Sequence, residues 1–104
     1  MYDVPMSTEL ALPDDLKADI SLATRILLDE GCKEIYIFGS VAKGTFTGDS
    51  DIDIATIGLS KSRFFKAYGR LLSKLHRGVD LVALDYDMEF GQYLKETGFL
   101  TRVA

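Results

Sequence analysis

The chain is poor in several things, and each shortage narrows what it can be. It carries one cysteine, Cys32, among 104 residues. One thiol closes no internal disulfide and builds no metal cluster, so Cys32 reads as a small residue near a helix–strand junction of a cytoplasmic protein. No apolar run approaches the length of a membrane span. Met1 to Pro13 lacks the basic stretch and apolar core of a secretory signal, so it is not expected to be one; no membrane partner is expected either. Positive charge is also short: 12 Lys and Arg stand against 16 Asp and Glu, a formal net charge of −4. A domain that holds nucleic acid by itself needs clustered cations to displace counterions, so direct nucleic-acid binding is not expected. There is no low-complexity tract, internal repeat or linker, and the length suits one modest core and not two. Residues 1–104 are therefore expected to form a single domain.

What is present has a regular order. Pro13 suits the first turn of a helix, with Asp14 and Asp15 at its positive end. Leu16, Ile20, Ala23 and Leu27 then form one helical stripe, and Gly31 suits a left-handed cap. Lys33 to Phe38 reads as a buried strand and Asp51 to Ile57 as a second. Ser60 is placed to cap a helix over Lys61–Leu75, whose inward stripe would be Phe64, Tyr68, Leu71, Leu72 and Leu75. Lys61, Arg63, Lys66, Arg70, Lys74 and Arg77 read as its solvated face, with Lys74, His76 and Arg77 at its negative end. Val79 to Leu84 is a third strand, broken only by Asp80. Met88 to Glu96 is helical in pattern with Phe90, Tyr93 and Leu94 inward, and Gly98 ends it. Phe99 to Ala104 adds an edge strand or docks as a turn. This order predicts an α+β fold, a small mixed β-sheet with helices packed on one face.

Chemistry concentrates between Phe38 and Ile54. Gly39 lets the chain leave the first strand along a path that a β-carbon resists. Ser40 offers a hydroxyl and an N–H where a short helix could begin, and such outward N–H groups favour phosphate. Lys43, one turn on, adds a cation. Strand alternation puts Asp51 and Asp53 on one side, roughly 7 Å apart at Cα, while Ile52 and Ile54 face a core. Such a pair suits one or two hard cations such as Mg²⁺. Taken singly, each feature has a plainer meaning: Gly-Ser after a strand is common, and Asp-x-Asp often marks a solvated strand face. Asp80 likewise could be an edge-strand carboxylate facing water, although a charge inside a strand is costly unless paired or metal-bound.

Together the features are more specific. Gly39-Ser40, ten residues, then Asp51-Ile52-Asp53 between apolar runs resembles the signature of the DNA polymerase β-like nucleotidyltransferases, and the length is similar to that of the minimal nucleotidyltransferases. The resemblance runs from about Leu12 to about Leu94. It implies a palm-like fold and a third carboxylate on the strand after the next helix, a position that Asp80 fills. It implies that Asp51, Asp53 and Asp80 hold two Mg²⁺ ions, with Mn²⁺ as a substitute. It also implies that Gly39, Ser40 and Lys43 cradle the β- and γ-phosphates of ATP or another NTP. The transferred group would be a nucleoside monophosphate and the acceptor a hydroxyl. Two positions depart from the pattern: Val41 and Lys43 stand where many relatives carry arginine, and neither change removes a carboxylate. His76, Tyr36, Phe46 and Tyr68 are read as core or surface rather than as base-stacking or acid/base groups.

Larger relatives add a helical domain for the acceptor, and none is expected within these 104 residues. The acceptor would then be held by a second copy or by another protein. Minimal nucleotidyltransferases are often paired with a HEPN-type protein as a toxin–antitoxin system, and the resemblance implies that this chain is such an antitoxin, adenylylating its HEPN partner. Two other readings are set beside it: an inactive binding module that neutralises a partner by occlusion, and transfer to a small molecule such as an aminoglycoside.

Overall fold

The computed structural model describes residues 12–48, 50–86, 88–97 and 100–104. Met1–Ala11, Asp49, Asp87, Gly98 and Phe99, and with them the expected helix stop at Gly98, lie outside the described residues.

Helix α1, Asp14–Asp29, begins after Pro13 with Asp14 and Asp15 in its first turn. Its buried arc holds the expected Leu16, Ile20, Ala23 and Leu27, and adds Ile26 and Asp19. Gly31, at φ 95°, turns the chain out of the helix, a conformation that costs glycine nothing. Cys32 is buried at the junction, its thiol donating to the carbonyl of Glu34 at 3.2 Å. Strand β1, Glu34–Phe38, leads into the one-turn helix α2, Gly39–Lys43. Strand β2, Ile52–Ile57, is joined by α3, Lys61–Lys74, to β3, Val79–Ala83. Helix α4, Met88–Thr97, and strand β4, Leu100–Arg102, complete the order.

The sheet order is β3-β2-β1-β4. β2 and β3 run parallel, while β1 is antiparallel to both β2 and β4. The tail is thus an edge strand. The sheet is mixed, and its alternation sorts the side chains. Ile35, Ile37, Ile52, Ile54, Val79 and Leu81 point into the larger core beneath α1 and α3. This is the expected helical layer. Tyr36, Phe38 and Ala55 point the other way, into a smaller cluster with Leu84, Leu94 and Leu100. There α4 supplies the cover, with the Phe38 and Phe90 rings edge to face at 5.6 Å.

Two inward assignments change. Leu72 is 60% exposed, because Ala67 and Leu71 set the buried arc of α3 and the next residue turns about 100° away from it. Tyr93 is also 60% exposed: buried Gly91 and Leu94 face Leu84 and the core, and Tyr93 stacks over Phe90 instead. Ser60 caps α3 as expected, its hydroxyl accepting the Arg63 N–H at 3.4 Å.

The basic face of α3 is less solvated than its sequence suggests. Arg63 and Arg70 reach across to Glu30 at 3.2 and 2.8 Å, and the Glu30 side chain is only 4% exposed. Arg70's hydrogen bond holds the Glu30 carboxyl below the usual range, against the upward push of burial; Arg63 and the field of Lys66 add to the lowering. A depressed carboxylate contributes stability above its unfolded value of about 4.3 and loses it as pH falls through the folded value. Arg70→Ala is therefore expected to lower Tm at pH 7, and the gap to wild type should narrow as the solution is acidified through that range. Thermal melts across pH check this; a gap independent of pH would contradict it.

Candidate active site

The site starts where β1 ends. Phe38 is extended, and Gly39 then takes φ +69°, turning the backbone into α2. Gly44, at φ +79°, closes that helix. Val41 is buried in the core, so it faces away from the turn's outer surface. Ser40 is half-buried, and its carbonyl accepts the Thr45 N–H at 3.0 Å. Lys43 lies exposed in the last turn.

Gly39 is required by more than its dihedral. A β-carbon there would strike Oδ2 of Asp53 and lie 3.0 Å from its Cγ. The turn and the Asp53 carboxylate are thus packed against each other. The register makes this so: Phe38 pairs with Asp53 across β1 and β2, and Asp53 pairs with Asp80 across β2 and β3. Paired residues on adjacent strands point the same way about 4.8 Å apart, so the two carboxylates are neighbours. They lie on the sheet face opposite α1 and α3, the face that carries Phe38 and Ala55.

Asp51 lies just before β2 and is exposed. Its carboxylate sits against Gly78, the residue before β3, where a β-carbon would strike Oδ1. Two glycines therefore make room for two of the acidic side chains. The Asp53 carboxyl is pushed above its ordinary value, first by burial, then by the charges of Asp80 and Asp51. The structure brings Asp51, Asp53 and Asp80 to one end of β2 and β3, with the Gly39–Ser40 turn alongside.

These donors fit a hard divalent cation. They are all carboxylate oxygens, as Mg²⁺ and Mn²⁺ favour, and they carry mutual repulsion that a cation would relieve. Among the described residues, no three His, Cys, Asp or Glu side chains already close around one point.

The remaining candidates are core or surface. Tyr36 is buried, with its hydroxyl on Glu34. Phe46 and Tyr68 pack on the larger core, and the Tyr68 hydroxyl donates to the Val79 carbonyl at 3.2 Å. His76 is exposed, with Nδ1 3.2 Å from Asp19.

Sequence reasoning missed the roles of Asp19 and Arg77. Buried Asp19 accepts the backbone N–H groups of His76 and Arg77 at 3.5 and 3.3 Å, fixing the turn between α3 and β3. One signal was available: Asp19 falls within the apolar arc of α1, three residues after Leu16, and a buried carboxylate needs donors. Arg77 had no such signal.

Residues 17–98 match the family model described as polymerase beta, nucleotidyltransferase. Among solved structures, a toxin–antitoxin crystal structure with AMP-PNP is similar, with a TM-score of 0.52 and 32% identity over 70% of this chain and 59% of that one. The crystal structure of the toxin–antitoxin MntA–HepT gives 0.50 and 28%, over 66% and 56%. A structure of the tri-AMPylated Shewanella oneidensis HEPN toxin in complex with MNT antitoxin gives the same values. The chain thus spans less than two thirds of the length of each of these. No curated protein gives a significant match. Among the described residues, no helix is long and apolar enough to cross a membrane.

Proposed function

Because the chain belongs to the polymerase beta nucleotidyltransferase family, we propose that it transfers AMP from ATP to a hydroxyl of a HEPN-type partner protein, as the antitoxin of a toxin–antitoxin pair. The observation that carries this reading is the packing of Asp53 between the Gly39 turn and Asp80, with Asp51 alongside. A strand face meant only for water has no need to press carboxylates together. The similar structures support the partner and the nucleotide: one holds AMP-PNP and another an AMPylated HEPN toxin.

In this reading Gly39 N–H and Ser40 hold the β- and γ-phosphates, and Lys43 adds positive charge. Asp51, Asp53 and Asp80 would hold Mg²⁺, which when bound neutralises triphosphate charge and lowers the pKa of an attacking hydroxyl. The acceptor oxygen bonds to the α-phosphorus, the bond from that phosphorus to the bridging oxygen breaks, and pyrophosphate leaves. Asp80, more open than Asp53 on the neighbouring strand, takes the hydroxyl proton. Positioning and electrostatics supply the rate.

Metal and nucleotide titration tests this. Ligands stabilise the state they bind, by about 2.7 kcal/mol at a hundredfold excess over Kd. In a domain of this size that is a rise in Tm on the order of 10 °C. AMP-PNP with Mg²⁺ is expected to give such a rise, and AMP-PNP in chelator much less. No shift with both at millimolar concentration would leave occlusion of the partner as the better account.

A further inference from the structure

One side chain ties together the two backbone segments that present the acidic residues. Arg77 follows α3 by three residues and is 12% exposed. Its Nη1 donates to the carbonyls of Gly48 at 2.8 Å and of Thr47 and Ser50 at 3.4 Å. Its Nη2 donates to Asp15 of α1 at 3.3 Å. Its backbone N–H is held by buried Asp19. Ser50 immediately precedes Asp51, while Arg77 itself stands three residues before Asp80.

The surrounding bonds make the tie effective. The Thr47 N–H donates to the Ser50 hydroxyl at 2.7 Å, and the Ser50 N–H to the Thr47 carbonyl at 3.2 Å, so Thr47 and Ser50 are held to each other. The next bond along, from the Ile52 N–H to the Gly78 carbonyl at 2.9 Å, starts the pairing of β2 with β3. Between the loop and that first rung sits Asp51, exposed, with its carboxylate against Gly78. The rung holds Asp51 from one side, and the Arg77 guanidinium holds it from the other through the Ser50 carbonyl. A guanidinium can serve several carbonyls from one rigid plane, which a lysine ammonium does less well.

We propose that Arg77 is a positioning residue for the carboxylate site: its guanidinium clamps the backbone that presents Asp51 to the turn that presents Asp80. The proposal rests on the transferase reading for its functional consequence, but the clamp itself is a property of this chain's own groups. Arg77 acts through the backbone and touches neither nucleotide nor acceptor. It sets where Asp51 stands relative to Asp53 and Asp80, and so how readily the three converge on a cation.

The test compares Arg77→Ala and Arg77→Lys in the full chain, with Arg70→Ala as a control for plain loss of an ion pair between helices. Without metal, Arg77→Ala should speed hydrogen exchange at the amides of Thr47, Ser50 and Asp51 by on the order of tenfold or more, with Ile37 and Ile54 unchanged. With Mg²⁺, the concentration for half-maximal transfer should rise about tenfold, while the rate at saturating Mg²⁺ largely recovers. Arg77→Lys should fall between wild type and Arg77→Ala, and Arg70→Ala should lower Tm without either effect. Unchanged exchange at the loop amides, or a loss of rate that excess Mg²⁺ does not restore, would overturn the clamp. If Arg77→Ala does not fold, Arg77→Lys carries the same comparison. If wild type transfers no nucleotide, the transferase reading fails, and loop exchange with direct Mn²⁺ binding decides the clamp alone.

Discussion

Replacing Asp51 and Asp53 together by asparagine is expected to abolish nucleotide transfer while raising thermal stability in metal-free buffer. The two effects have one cause. Asp53 is pushed up by burial and by Asp80 and Asp51, so its ionised form is disfavoured in the folded state. The sign follows from linkage: a carboxyl with a raised folded value costs stability at pH above that value, and the cost vanishes as pH falls to the unfolded value. Asparagine, nearly isosteric, removes that cost at pH 7. The Tm gain should therefore shrink on acidification, which melts at two pH values in chelator will read. The same amides are poor ligands for hard cations. If losing one preorganised electrostatic contact costs about 10²–10³-fold, losing two should cost at least on the order of 10³-fold in rate. A double variant that melted lower than wild type in chelator would show that these carboxylates are not in conflict.

Gly39→Val should have the second large effect, on both folding and nucleotide binding. At φ +69° an L-residue pays roughly 1–2 kcal/mol, and a β-branched one more. The added β-carbon also meets the Asp53 carboxylate, so the turn must move off the strand that carries it. Gly44 separates the two costs. It has φ +79°, but a β-carbon there meets nothing within 4 Å. Gly44→Ala should lose only about 1 kcal/mol in denaturant unfolding and keep nucleotide binding. Gly39→Ala should lose more stability and lose the AMP-PNP shift in Tm. Equal behaviour of the two alanine variants would mean that contact between turn and carboxylate is unimportant.

Much of this arrangement is readable from the order of the residues alone. Alternation from Asp51 to Ile54 separates the two carboxylates from Ile52 and Ile54, and the helical steps of Leu16, Ile20, Ala23 and Leu27 define the face of α1. These signals are local, one side chain relative to its near neighbours. What is not readable depends on non-local partners. The tail suits strand or turn equally, and the free edge of β1 decides for strand. Adjacent apolar residues leave the phase of two helices open, and the packing of Leu71 and of Gly91 with Leu94 sends Leu72 and Tyr93 outward. Arg63 and Arg70 look like a solvated face because Glu30 lies far away in sequence. Arg77 reads as one more cation at a helix end, and its carbonyl partners give no side-chain pattern to recognise. The site is legible where the chemistry needs particular side chains at short spacing, and illegible where backbone groups hold those side chains in place.

The most direct measurement is the intact mass of a HEPN-type partner after co-expression, once with wild type and once with the Asp51→Asn, Asp53→Asn variant. The partner from the wild-type pairing is expected to carry one or more added AMP units, and the partner from the variant pairing to bind but carry none. A partner of unmodified mass from the wild-type pairing, with cells protected equally by both forms, would contradict transfer as the mechanism and assign neutralisation to occlusion.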